Sequence, residues 1–151
     1  MLVSTLLETK PREIITARPT TTIEEAMELL IEHKISCLPV LESDGKLVGI
    51  ISDKDIFKKI HETKGNYHSL RIGDVMSTNL IVGLPDDDIE YIAGIMDKNW
   101  IRHVPIISGD KMVGLVSEGD IIRTLTHRKK IENRYLKMYL DGLSSRDMSG
   151  D

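Results

Sequence analysis

Hydrophobic residues recur at helical spacing in two separate stretches of the chain. "TIEEAMELLIEHK" (22–34) has apolar residues at helical spacing at positions 23, 26, 27, 30 and 31, and "DIEYIAGIMDKNW" (88–100) has them at 89, 92, 93, 95 and 96. Residues three and four positions apart lie on one face of an α-helix. Each stretch is therefore predicted to form an amphipathic helix with one buried side.

Two short apolar segments with a turn signal between them follow each predicted helix. The turn is indicated by Ser-Asp-Gly at 43–45 in the first case and by Gly-Asp at 109–110 in the second, where a type II′ hairpin fits. The predicted strands are "SCLPVLE" (36–42), "KLVGIIS" (46–52), "HVPIIS" (103–108) and "KMVGLVS" (111–117). Each part of the chain thus reads short strand, helix, strand, turn, strand, helix.

The segment that closes the first hairpin is repeated in the second. "GKLVGIISDKDI" (45–56) and "DKMVGLVSEGDI" (110–121) are identical at six of twelve positions, and upstream "ISCLPV" (35–40) matches "IRHVPI" (101–106). The chain is therefore two copies of one α+β unit. Because so small a unit cannot bury both faces of its sheet alone, the copies are predicted to pack with pseudo-twofold symmetry, leaving clefts along the seam.

We place the first copy at residues 8–64, the second at 70–126, and a C-terminal helical extension with its tail at 127–151. Residues 120–141 contain neither glycine nor proline, which predicts one or two helices. The apolar residues at helical spacing there are Ile131, Tyr135, Met138 and Tyr139. Gly142 is the predicted stop, and a frayed tail follows it.

Composition narrows the class of protein. Of the 151 residues 40% are apolar and 29% charged, and 20 basic against 24 acidic residues give a net charge of −4. This balance argues against a binder of nucleic acid or of membrane surfaces, which needs a basic face. The single cysteine suits a reducing compartment, the N-terminal residues lack a secretory pattern, and no apolar stretch approaches 18 residues. We therefore expect a cytoplasmic protein.

The serine and aspartate of the repeated segment, Ser52 with Asp55 and Ser117 with Asp120, allow two interpretations. In the first they form a helix capping box, in which serine and acid each accept a hydrogen bond from the other's backbone amide. In the second the helix N-terminus faces a ligand, because its amides attract phosphate and an aspartate can accept hydrogen bonds from both ribose hydroxyls. Spacing alone favours the cap, and both can hold together.

Together the two copies resemble the cystathionine-β-synthase (CBS) domain family in its tandem form, the Bateman module. The resemblance covers about residues 8–126 and rests on "EAMELLIEHKISCLPVLESDGKLVGIISDKDI" and "MDKNWIRHVPIISGDKMVGLVSEGDI", each ending in G-x-x-S-x-x-D. The family implies adenosine nucleotides bound in clefts between repeats and pairing into disc-like homodimers.

The resemblance also implies roles for matching positions. Ser117 and Asp120 would hold the ribose of one nucleotide. Arg102 and His103, just before the proline, would meet its phosphates. The other residues implied for this cleft are Thr21 and Ala26 at the adenine edge and Arg123 as a further phosphate contact. Every element of the family pattern is present in this set.

The second implied cleft departs from the pattern. Its residues are Ser52 and Asp55 at the ribose, with Asp87 and Ile92 facing the base. Ser36 and Cys37 stand where the other copy has an arginine and a histidine, so positive charge is missing at these positions, and Asp53 and Asp87 add negative charge. Lys54 and Lys58 are the residues available to compensate. We expect this cleft to bind weakly or to take a nucleoside end with little phosphate.

Other chemistry is not indicated. The histidines at 33, 61, 68 and 127 have no metal-ligand spacing, and Cys37 lies in an apolar strand as a core thiol without a catalytic partner. No Walker-type loop, Ser-His-Asp set or Cys-x-x-Cys occurs. We expect no catalysis, no bound metal and no required cofactor.

Two functions remain. The first is a sensor that binds an adenine nucleotide reversibly, AMP foremost, with ADP, ATP, NAD or S-adenosylmethionine as alternatives, and that signals to an unidentified protein as a homodimer. The second is an adaptor that dimerises without ligand, in which Ser-x-x-Asp is only a cap. Arg102 and His103 favour the sensor, because an adaptor does not require them.

Overall fold

The structure is a computed structural model that describes residues 1–11, 13–128 and 137–143. Within them the chain forms two similar α+β halves. The helices are α1 (Val3–Glu8), α2 (Ile23–His33), α3 (Asp53–Glu62), α4 (Ile89–Asn99) and α5 (Glu118–Arg128). The strands are β1 (Cys37–Leu41), β2 (Leu47–Ser52), β3 (His103–Ser108) and β4 (Lys111–Ser117).

Each half contains one antiparallel hairpin, as the repeat predicts. β1 pairs with β2 so that Cys37 faces Ser52, and β3 pairs with β4 so that His103 faces Ser117. The first turn contains Gly45 at φ 88°, a left-handed conformation that glycine adopts without steric cost. This register brings the end of each hairpin beside the start of the helix that follows it.

Each half has its own apolar core, formed by the buried faces of two helices against one hairpin. The buried members in the first half are Ala17, Ile23, Ala26, Leu30, Leu38, Val40, Ile51, Ile56 and Ile72. Those in the second half are Val3, Leu6, Ile89, Ile92, Met96, Val104, Ile106, Val116 and Ile121. The N-terminal helix α1 therefore packs into the second half, whereas Ile72, at the start of the second copy, packs into the first half.

The segment ahead of α2 is called the first lead-in, and the segment between α3 and α4 is called the second lead-in. Each lead-in packs against the opposite half, as the pseudo-twofold relation requires. The amide of Val3 donates to the carbonyl of Asp87, and the amide of Ile72 donates to the carbonyl of Thr21, each over 2.8 Å. Leu7 packs over Gly114, while Met76 packs over Gly49. Each lead-in therefore crosses the seam, and the predicted pairing of two repeats is confirmed.

The C-terminal region is described in part. Helix α5 ends at Arg128, and residues 137–143 are helical. The predictions for Ile131, Tyr135 and the tail from 144 lie outside the described residues. Within the described residues, no helix combines the length and apolar character needed to cross a bilayer.

Candidate functional site: two clefts along the seam

Both repeated motifs form capping boxes. The Ser52 hydroxyl accepts a hydrogen bond from the Asp55 amide (3.2 Å), and the Asp55 carboxylate accepts one from the Ser52 amide (2.9 Å). Ser117 and Asp120 make the same two bonds, at 3.0 and 2.8 Å. The capping interpretation is thus confirmed, and each box leaves a helix start beside the seam.

The first cleft lies beside Ser52 and Asp55 and is called the Ser52 cleft below. Its cavity volume is about 290 Å³. The second lead-in contributes Ser77 and residues 79–81 to the lining. The segment between α4 and β3, together with the first residue of β3, contributes residues 100–103. Its other lining residues are Cys37, Ile50, Lys54 and Pro105. Both halves of the chain therefore build its walls.

The second cleft lies beside Ser117 and is called the Ser117 cleft. Its cavity is larger, at about 570 Å³. Its charged lining residues are Lys10, Glu13, Lys34 and Arg123, and it also contains His103. Its apolar lining residues include Ile14, Ile15, Ile35, Val113 and Leu115. The first lead-in supplies one of its walls, so it is the pseudo-twofold counterpart of the Ser52 cleft.

Cys37 and His103 line both clefts and form the wall between them. Burial, followed by the nearby charges of Arg102 and Lys10, lowers the pKa of His103 below its usual value, so the imidazole is neutral at pH 7. Burial, with Asp53 as the next contribution, raises the pKa of the Cys37 thiol to about 12. Cys37 is therefore protonated at neutral pH, as a core thiol should be.

Both carboxylate oxygens of Asp120 accept hydrogen bonds from cations. Lys10 donates to its Oδ2 at 2.5 Å and Arg123 to its Oδ1 at 2.5 Å, and Lys10 also donates to the carbonyl of Leu115 at 2.6 Å. Burial acts to raise the pKa of Asp120, which is 6% exposed, but the bonds from Lys10 and the Ser117 amide together hold that pKa below its usual value. Asp120 is therefore an ionised member of a three-residue ionic cluster.

Asp55 has a different environment. Its Oδ2 accepts the Ser52 amide, and its Oδ1 accepts no hydrogen bond from the residues that the structure describes. The carboxylate is half-buried and lines its cleft. Asp55 therefore keeps acceptor capacity for a ligand hydroxyl, whereas Asp120 shares both its oxygens with cations.

The structure groups the candidate residues differently from the sequence-based expectation. Arg102 lines the Ser52 cleft, where its guanidinium lies 3.8 Å from the Asp53 carboxylate, and it is not among the residues that line the Ser117 cleft. The positive charge expected to be missing from the Ser52 cleft is therefore supplied across the seam. Ser36, 3.5 Å from His103, lines the Ser117 cleft instead.

Of the four residues expected at the base, two lie in the cores and two lie in partly exposed turns. Ala26 and Ile92 are fully buried in the cores. Thr21 accepts the Arg18 amide through its hydroxyl, and Asp87 accepts the Leu84 amide through its carboxylate. These four are not among the residues lining the Ser52 and Ser117 clefts. Their contact with a base stays a prediction.

Lys10 and Trp100 line the clefts although neither is in the expected set of site residues; for Trp100 the sequence left open whether it lines a cleft or closes the core. Lys10 lies 110 positions from the carboxylate it binds, and nothing in its local spacing marks that pairing. Trp100 lines the Ser52 cleft in a left-handed conformation (φ 56°) with 95% of its surface exposed. The sequence feature that indicated a place for Trp100 near the cleft is its position directly before Ile101, Arg102 and His103.

Comparison with known proteins identifies the family. The CBS domain model matches the chain twice, at residues 9–62 and 72–127. The chain belongs to the CBS domain family. The mitochondrial CBS domain-containing protein CBSX3 of Arabidopsis thaliana is 30% identical over 125 residues, which are 80% of this chain and 61% of that protein. The chain therefore spans less than two thirds of that relative's length.

Two similar solved structures contain adenosine compounds. The CBS domain pair of protein MJ0100, in complex with 5′-methylthioadenosine and S-adenosyl-L-methionine, has a TM-score of 0.75 and 35% identity, over 85% of this chain and 98% of that one. CBSX2 in complex with AMP has a TM-score of 0.72 and 25% identity, again over 85% and 98%. Each is a CBS fold with bound ligand.

Proposed function

We propose that this chain is a regulatory CBS pair that binds an adenosine compound reversibly, with AMP as the first candidate, and that the Ser52 cleft is its principal site. The proposal rests on one observation: Asp55, which retains an acceptor oxygen, and Arg102, from the other half of the chain, line the same cavity. A ribose and a phosphate need these two kinds of group within one cavity. The ligands in the MJ0100 and CBSX2 complexes support the class of compound.

The walls of the Ser52 cleft suit the three parts of a nucleotide. Asp55 is assigned to the ribose hydroxyls, and Arg102 with Lys54 to the phosphate. A neutral His103 donates one hydrogen bond to the phosphate or gains a proton beside it. The apolar residues available to the base are Ile50, Leu80, Ile81 and Pro105.

The size of the cleft favours a mononucleotide. About 290 Å³ is at the lower end of the range for small-molecule pockets, roughly 300–1,000 Å³. A dinucleotide such as NAD would extend beyond the cavity. AMP and adenosine-sized compounds therefore rank above NAD.

Signalling follows from the placement of the site. A ligand that contacts Asp55 in the first half and Arg102 in the second bridges the halves, so it stabilises the seam arrangement in which both contacts form. No group of three or more potential metal ligands occurs among the described residues, and the proposal involves no catalytic step.

We infer a homodimer through the outer faces of α3 and α5, where Phe57, Ile122 and Leu125 are exposed. The dimer would then carry the ligand state to a protein partner.

Thermal unfolding with AMP, ADP, ATP, NAD and S-adenosylmethionine tests the proposal. A ligand at a hundredfold its dissociation constant stabilises the folded state by about 2.7 kcal/mol, which corresponds to a shift of roughly 5–11 °C for a chain of this size. We expect such a shift with AMP and a smaller one with NAD. If folded, ligand-free protein shows no shift with any of the five, the adaptor becomes the better description.

A further inference from the structure

We infer that Lys10 determines ligand stoichiometry: its ammonium group occupies the Asp120 carboxylate and restricts adenosine ligands to one cleft per chain. The inference rests on the proposed function and concerns the second of the two equivalent clefts. Lys10 approaches from the first lead-in and donates both to Asp120 and to the carbonyl of Leu115. The ammonium group of Lys10 therefore lies beside the N-terminal end of α5, next to the carboxylate that a ligand would need.

The two clefts differ in the contacts of their aspartates rather than in having too little space. Asp55 lines the Ser52 cleft, whereas Asp120, held by Lys10, is not among the residues lining the Ser117 cleft and lines a neighbouring cavity of about 640 Å³ that shares Lys10 and Arg123 with it. The Ser117 cleft has about 570 Å³ against about 290 Å³ for the Ser52 cleft, so it has room for the same ligand. Asp120 already accepts Lys10 and Ser117 at Oδ2 and Arg123 at Oδ1. A ribose hydroxyl that approached Asp120 would compete with two cationic donors, whose hydrogen bonds to the carboxylate are charged at both partners, whereas a hydroxyl is a neutral donor.

The pseudo-twofold relation shows which residues make this difference. Lys10 follows by three positions the Leu7 side chain that packs over Gly114, and Asn79 follows by three the Met76 side chain that packs over Gly49. Asn79 lines the Ser52 cleft but makes no hydrogen bond to Asp55 among the described residues. The Ser52 cleft thus has the short, uncharged side chain of Asn79 at the position where the Ser117 cleft has the long, positively charged side chain of Lys10.

Titration calorimetry with AMP on the full chain tests the inference. We expect one site per chain for the natural sequence and two for Lys10→Asn, which copies the other half. In Lys10→Asn the added site should disappear on further substitution of Asp120→Asn, and the original site on Asp55→Asn. Lys10→Met, which keeps the apolar stem but not the charge, should also give two sites.

The matched control is Lys34→Asn. Lys34 lines the Ser117 cleft and has φ 54°, a conformation that asparagine tolerates, so this variant removes one positive charge from the same cavity without touching Asp120. It should keep one site. Two sites in the natural sequence, or one site in both folded Lys10 variants, would overturn the inference and leave the proposed function standing. No AMP binding by any variant would overturn both.

Discussion

At the scale of single residues, Asp55 and Asp120 show how neighbours decide the role of a side chain. Both complete a capping box, and both follow a serine at the same spacing. Only Asp120 meets two cations, because Lys10 arrives from a distant segment and Arg123 lies one turn along α5. Asp120 therefore acts mainly in the structure, and Asp55 remains available to a ligand.

The ionised Asp120 should make folding stability depend on pH. Its pKa is lowered in the folded chain, so its stabilising contribution is fully present above the unfolded value of about 3.9 and is lost as pH falls through the lowered value. Asp120→Asn should reduce the free energy of unfolding by about 1.5–3 kcal/mol at pH 7, the range for hydrogen bonds to charged groups. Urea unfolding between pH 2 and 7 measures this.

The matched variant for that experiment is Asp55→Asn. Asp55 makes the same backbone bond without the cations, so its replacement should cost less than that of Asp120 at pH 7, and the difference should disappear as pH falls below about 4. Equal costs for the two substitutions at pH 7, or a cost for Asp120→Asn that does not shrink below pH 4, would show that the ionic cluster does not stabilise the fold.

At the scale of elements, the crossing lead-ins fix the geometry of the seam. Each passes over a glycine in the second strand of the opposite hairpin, where a side chain would obstruct it. A Cβ added at Gly49 would press into the Met76 side chain and lie 3.2 Å from the carbonyl oxygen of Ser77. The backbone bonds between Ile50 and Ser77 hold the lead-in at this distance. Gly49 therefore allows the close approach of the lead-in backbone, whereas the atoms nearest to a Cβ at Gly114 would belong to the side chain of Leu7.

Two glycine substitutions should have opposite effects. Gly49→Ala should lower the free energy of unfolding by about 1–3 kcal/mol through overpacking. Gly94→Ala should raise it by about 0.5–1 kcal/mol, because Gly94 is exposed in α4, has nothing within 4 Å of an added Cβ, and alanine favours the helix. Chemical denaturation of both variants and of the natural sequence measures these changes in the free energy of unfolding. If Gly49→Ala is as stable as Gly94→Ala, the lead-in is not held against the strand.

At the scale of the whole molecule, the sequence predicts the local structure and the symmetry but not the grouping of the site. The helices, hairpins and capping boxes follow from patterns within a few residues. Arg102 lines one cavity with Ser52 because the two halves pack along the seam, and Lys10 reaches Asp120 because the first lead-in crosses into the second half. Such contacts depend on the path of the chain over 50 to 110 positions, which local spacing does not encode.

The most direct test of the account is AMP binding followed by the fluorescence of Trp100, the single tryptophan in the chain, which is 95% exposed and lines the Ser52 cleft. AMP should change its emission saturably. Asp55→Asn should weaken the affinity about 10- to 150-fold, the equivalent of 1.5–3 kcal/mol. The control Asp53→Asn removes the same charge two positions away, beside Arg102, and should leave the affinity equal or higher. Undiminished affinity in Asp55→Asn, or AMP binding that leaves Trp100 emission unchanged, would contradict the assignment of the Ser52 cleft.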